Sequence, residues 1–223
     1  MPTDRVAQRG RTWTLGAAVV GGMSAAIASG WLQLSREWFV LVHLVVVAAF
    51  TWVFVSYHGL TIRTQLGRRW LPGLVVGLFV GALLARQVIG QPGSPRSSGF
   101  ALTGDLAWFG VVYGTLDALL LTVLPVIALY GLRPPEELAQ SNPRLRWALV
   151  ALAGSAVVTA AYHAGFAEFR GPQLIQPVIG NLLITLAYLL TGSPVAAIVS
   201  HVAMHVAAVL HGMATTIQLP PHY

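Results

Sequence analysis

Long apolar runs, each close to the length of a bilayer crossing, follow one another along the chain and are separated by short polar connections. Within a run the apolar residues are continuous rather than alternating. That pattern fits helices, which satisfy their own backbone groups in lipid, and not the strands of a barrel. Seven runs approach the ~20 residues needed to cross a hydrocarbon core: 13–34, 38–60, 70–90, 106–132, 145–166, 174–190 and 194–213. The expected fold is therefore all-α, a polytopic transmembrane helical bundle of about seven spans. It reads as a single membrane domain over 1–223, with three front spans in 13–90 and four back spans in 105–213.

Composition sharpens this picture. The chain is 56% hydrophobic and 9% charged, against roughly 25% charged in a soluble domain, which excludes a water-soluble globule. All 13 basic residues are arginine. Without lysine there is no Schiff base to retinal or pyridoxal phosphate. Without cysteine, disulfides, iron–sulfur clusters and thiolate catalysis are excluded. The net charge of +6 would point to nucleic acid in a soluble protein, but here topology accounts for it. Nine arginines (Arg5, Arg9, Arg11, Arg63, Arg68, Arg69, Arg133, Arg144 and Arg146) fall on one side of the alternating spans, and four (Arg36, Arg86, Arg96 and Arg170) on the other. The positive-inside rule then places the N-terminus in the cytoplasm and the C-terminus outside, in a bacterial-type inner membrane, with the bilayer as partner and no nucleic acid. The first span, basic at its start and small-residue-rich at its end, reads as an uncleaved signal anchor. Tryptophans 13, 31, 38, 70 and 108 lie at span ends as interfacial anchors. Gly73, Gly77 and Gly81 form a small-xxx-small stripe suited to close helix packing, which leaves the oligomeric state open. The Gly-, Ser- and Pro-rich stretch 91–104 reads as a mobile outer loop, and 133–143 as a cytoplasmic linker.

Against this background the intramembrane polar residues stand out, because each costs several kcal/mol unless paired. Asp117 falls near the middle of the fourth span. His201 and His205 are one helical turn apart on the last span and share a face. His211 returns to a similar face nearer its end, and His163 lies near the end of the fifth span. Histidines at this spacing commonly bind a divalent metal such as zinc, but His201-Val202-Ala203-Met204-His205 lacks the intervening glutamate of the zinc-protease helix. Asp117, His163, His201 and His205 form a candidate metal set or a general acid–base set acting on bound water. A polar cluster that only holds the bundle together is the alternative. His43 and His58 approach the spacing that stacks two haems, but His201, His205 and His211 offer no matching pair, which disfavours haem.

The segment from Ala187 through Thr191-Gly192-Ser193-Pro194 to His201 and His205 resembles the last motif of the CAAX-protease and bacteriocin-processing intramembrane endopeptidases. In that family a Thr-Gly-Ser turn opens a helix carrying His-x-x-x-Asn, after a Glu-Glu-x-x-x-Arg helix and a Phe-x-x-x-His helix. The resemblance spans about residues 105–213 and implies a protease acting on a membrane peptide or protein. Asp117 and His163 would then be the water-activating pair, and His201 and His205 would stabilise the oxyanion. The chain departs from the pattern: Asp117 stands for the Glu pair with no arginine four or five residues after it, Thr159 for the Phe and His205 for the Asn. A non-catalytic membrane protein of the same fold, acting in binding, scaffolding or metal and proton handling, is the alternative those departures leave.

Overall fold

The computed structural model describes residues 2–214 and 218–220, with side chains from residue 6 onward; the Arg5 side chain counted above and residues 215–217 and 221–223 lie outside it. Every regular element among the described residues is helical, and seven helices are long and apolar enough to cross a membrane. Helix α1 (Pro2–Ala25) continues through a π-helical turn, Ala26–Trp31. It is followed by α2 (Arg36–His58), the short α3 (Ile62–Gly67) and α4 (Trp70–Ile89). The long α5 (Gly99–Gly131), the short α6 (Pro135–Leu138) and α7 (Ser141–Ala164) come next. Two 3₁₀ turns then lead into α8 (Ile175–Thr191) and α9 (Pro194–His211). The protein is an integral membrane protein, and its outer face carries exposed Leu15, Trp52, Phe79 and Leu183, side chains that only lipid would solvate.

The stretch expected to be a mobile loop is half helix and half fastened strap. Helix α5 starts at Gly99, and the Ser97 hydroxyl bonds the Asp105 carboxylate across its first turns. Before it, the ring Nε2 of His211 bonds Gln91 O at 2.7 Å, Ser94 N–H bonds His211 O at 3.3 Å, and Arg96 reaches Leu210 O at 3.3 Å. Glycine and serine here supply close approach to the end of α9 rather than freedom.

Helix α5 is the axis of the bundle. Its most apolar window is 78% buried, against 28–44% for the other six spans. Its backbone alternates α turns (Tyr113–Asp117, Leu124–Val126) with π turns (Leu106–Val112, Ala118–Val123, Ile127–Gly131). Wider turns of this kind leave backbone groups for outside partners and occur often at functional sites. Around the axis α9 packs along α4, α1 along α7, and α8 against α4, α7 and α9.

The α4–α9 contact rests on the glycine stripe. Gly73, Gly77 and Gly81 are buried. A Cβ on Gly77 would lie 2.9 Å from Ala196 O and 3.0 Å from Val199 Cβ, and one on Gly81 would lie 2.7 Å from Ala203 Cβ. The Ser200 hydroxyl uses the proximity to donate to Gly77 O at 3.1 Å. Between α8 and α9 the chain reverses at Gly192, whose φ of 66° is left-handed and whose N–H closes on Tyr188 O at 2.7 Å. Substituting Gly77→Leu should therefore wedge α9 off α4 and lower stability by about 1–3 kcal/mol. A denaturation midpoint in detergent that matched wild type would contradict that assignment.

Candidate functional site

A proline inside α5 starts the construction of the site. Pro125 has no N–H, so the carbonyl one turn earlier, Leu121 O, loses its helical partner. In lipid that carbonyl needs another donor, and Ser155 Oγ from α7 supplies it at 2.6 Å, with Asn181 Nδ2 from α8 3.3 Å away. Asn181 is 3% exposed and its amide is fully engaged. Its two Nδ2 hydrogens go to Ser155 Oγ at 2.8 Å and Thr159 Oγ1 at 2.6 Å, while its Oδ1 accepts from Thr122 Oγ1 at 2.7 Å and from His201 Nε2 at 3.2 Å. Thr185 on the next turn of α8 donates to Asn181 O at 2.8 Å, which leaves its oxygen 2.8 Å from Ser155 Oγ. One amide thus ties α5, α7, α8 and α9 together. It also sets the His201 tautomer: with Nε2–H given to Asn181, Nδ1 keeps its lone pair, and that nitrogen is buried without a hydrogen-bond partner.

Asp117 lies on the same central helix and is 4% exposed. Its two carboxylate oxygens face two imidazoles, His43 Nε2 at 3.4 Å from Oδ1 and His205 Nε2 at 3.3 Å from Oδ2. His43, from α2, stacks on Phe39 with centroids 5.7 Å apart, and Tyr113 meets both His43 and His205 edge-on, at 5.9 and 4.9 Å. The Tyr113 and Tyr162 hydroxyls share a hydrogen bond of 2.8 Å beside this group. His205 reaches the carboxylate because α9 crosses α5 at Gly114, where a Cβ would lie 3.0 Å from Val202 Cα and 3.1 Å from His205 Cδ2.

Asp117, His163, Asn181, His201 and His205 all line one cavity of about 70 Å³ between α5, α7, α8 and α9, space for a few waters. Within it the ligand-capable atoms of Asp117, His201 and His205 lie within 4.8 Å of one another. His163 lines the cavity but stands apart from that triad. Its Nδ1–H donates to Thr159 O in its own helix at 2.9 Å, leaving Nε2 as the unprotonated nitrogen. The carboxylate's close partners are therefore His43 and His205, not the His163 that the motif comparison pairs with it. His58 belongs elsewhere, in a ring cluster with Trp13, Phe54 and Tyr57. Gln218, Leu219 and Pro220 cross one side of the cavity, held by Arg36, whose guanidinium donates to Pro220 O at 2.7 Å and Met213 O at 2.9 Å.

Four side chains of the site are not singled out by sequence: His43, Asn181, Tyr113 and Tyr162. In sequence His43 stands out only for its haem-like spacing from His58, although any intramembrane histidine carries the same default expectation of a partner. Asn181 lies hidden inside an apolar run. Its signal was available, since a helix-interior proline at 125 demands a donor from a neighbouring helix. Tyr113 and Tyr162 carried no signal beyond their polar tips.

An all-helical membrane bundle with a buried carboxylate–imidazole cavity is the class these features define. Residues 135–207, about a third of the chain, match the model of the family described as type II CAAX prenyl endopeptidase Rce1-like, in agreement with the resemblance found in the back half. The matched stretch contains His163, His201 and His205 but not Asp117. The Glu-Glu pair inside it, Glu136 and Glu137, lies on α6 beyond the far end of α5 from the cavity; Glu137 Oε1 accepts from Trp147 Nε1 at 2.6 Å. No curated protein matches the chain, and no solved structure does.

Replacing Asn181 by Leu strands several buried polar groups, each worth about 1–3 kcal/mol when left unmet. The variant should unfold at a markedly lower denaturant concentration than wild type. Gly114→Val should instead leave the bundle folded but separate His205 from Asp117, which is readable as a change in the His205 imidazole resonance; an unchanged resonance would rule out the crossing at Gly114 as its cause.

Proposed function

We propose that the chain is an intramembrane hydrolase of the CAAX-protease type, which cleaves a peptide or protein presented from the membrane by activating water in the Asp117–histidine cavity. The observation that carries this reading is the convergence of one carboxylate and three imidazoles from α5, α7 and α9 on a single cavity, with buried ring nitrogens of His201 and His205 that have no hydrogen-bond partner. His163 Nε2 and His201 Nδ1 are the lone pairs able to take a proton from water as its oxygen adds to the scissile carbonyl carbon. Asp117 holds His205 and His43 and stabilises whichever imidazole becomes charged. An N–H of His205 can then donate to the developing oxyanion, and the captured proton passes to the departing amine. The arginine-rich segments 63–69 and 133–146 would face the cytoplasm of a bacterial-type inner membrane, with the cavity nearer the opposite leaflet.

A second reading is favoured by the Asp117, His201 and His205 triad, which suits a divalent cation such as zinc in donor type. Ligand atoms at ~2.1 Å from zinc in a tetrahedron stand roughly 3.4 Å apart, so the triad, spread over up to 4.8 Å, would have to draw together. His43 would then orient Asp117 from behind.

Purified protein in proteoliposomes, offered prenylated C-terminal peptides and unmodified membrane peptides, tests both readings. Asp117→Asn, His163→Gln and His201→Gln should each lower cleavage by about 10²–10⁴-fold, the usual worth of a general acid or base, with unchanged helicity and melting. Cleavage insensitive to all three would refute the hydrolase. Metal analysis showing one equivalent that is lost in His201→Gln and His205→Gln would support the second reading, and metal-free active protein would end it.

A further inference from the structure

The opposite end of the bundle holds a cavity that the hydrolytic reading does not use. It has a volume of about 410 Å³ and lies between the α3–α4 turn, the end of α5, α6, the start of α7 and the end of α8. Four arginines line it, Arg68, Arg69, Arg133 and Arg144, and no carboxylate is among its lining residues. Arg133 is 4% exposed. Its Nε donates to Leu129 O at 3.2 Å, but neither terminal nitrogen has a hydrogen-bond partner. The guanidinium carbon sits 3.4 Å above the Trp147 ring, which fixes its plane, and Trp147 is itself fixed by Glu137. Glu137 is the nearest competitor: its second oxygen is also buried without a hydrogen-bond partner, yet among the described residues no carboxylate comes within ion-pair distance of Arg133.

A buried guanidinium with two unmet N–H ends is unfavourable unless an anion completes it. Burial lowers the affinity of Arg133 for its proton, Arg11 and Arg146 add to the effect, and Glu137 only partly opposes it. Arg69 is held at a left-handed φ of 48° at the mouth, in contact range of the Gly192 turn. The lining includes apolar Leu60, Leu189 and Leu190, the last 68% exposed on the lipid-facing surface. A planar bidentate donor flanked by further arginines matches phosphate oxygens, and basic pockets between helix ends are where phospholipid headgroups bind.

We infer that this arginine-lined cavity binds a phosphate group, supplied by an anionic phospholipid headgroup or by free phosphate. The site is independent of catalysis in the Asp117 cavity.

The test uses full-length protein in phosphatidylcholine nanodiscs, with phosphatidylglycerol or inorganic phosphate added, read by native mass spectrometry and by melting midpoint. Wild type should retain phosphatidylglycerol over phosphatidylcholine, and removing one arginine should weaken that retention about fivefold, the worth of one basic side chain near a headgroup. Arg133→Gln probes the buried contact. Arg68→Gln and Arg144→Gln, both at exposed positions, probe the same site without disturbing the core. Glu137→Gln, which removes the competing carboxylate, should tighten retention. If inorganic phosphate alone raises the midpoint in an Arg133-dependent way, and phosphatidylglycerol adds nothing, the phosphate site stands and its source is soluble. Equal retention of the two lipids with no response to phosphate, or retention unchanged in all three arginine variants, overturns the inference.

Discussion

The structure turns on one buried amide. Asn181 sits where four spans meet, and its oxygen and nitrogen reach Thr122 and Leu121 O on α5, Ser155 and Thr159 on α7, and His201 on α9. In lipid such bonds gain little from excluding water, since tails are as apolar as the side chains they meet. Their worth lies in the alternative, a polar group left bare in hydrocarbon. Pro125 creates that alternative by removing the N–H that would otherwise satisfy Leu121 O. The bundle is thus held by a demand raised on its central helix and met from its neighbours.

The same node connects packing to chemistry. By accepting from His201 Nε2, Asn181 leaves the other ring nitrogen open, next to a carboxylate already clasped by His43 and His205. The glycines at 77 and 114 do comparable work for α9, letting it lie close enough to α4 and α5 for its histidines to enter the site. Polarity is therefore divided along α5. A carboxylate–imidazole cavity occupies its middle, and an arginine-lined cavity closes its far end, with the Val123–Val126 segment buried between them. The family match covers the three back-half histidines of the cavity and leaves Asp117 to be understood from its surroundings.

Much of the fold was legible in the chain before any coordinates. Continuous apolar runs of bilayer length can satisfy their backbone only as helices, so the seven spans followed from hydropathy. The glycine stripe at 73, 77 and 81 announced a close helix contact, though not that α9 would fill it. Asp117, His201 and His205 could be singled out because lipid makes any ionisable side chain conspicuous. The stretch 91–104 is ambiguous in sequence because glycine and serine signal equally a flexible loop and a strap that must lie close to another backbone; its bonds to His211 and Leu210 decide for the strap.

What the sequence determined by itself is thus the local and one-dimensional part: helix, span, arginine bias, and which residues are too polar for their surroundings. Which of those residues meet was decided only by the tertiary structure. The identity of Asp117's partners depends on the rotation and crossing of α2, α5 and α9, and periodicity within one helix says nothing about its orientation against another. That is why His43 joined the carboxylate while His163 turned one nitrogen to its own backbone, and why an asparagine inside an apolar run became the link among four helices.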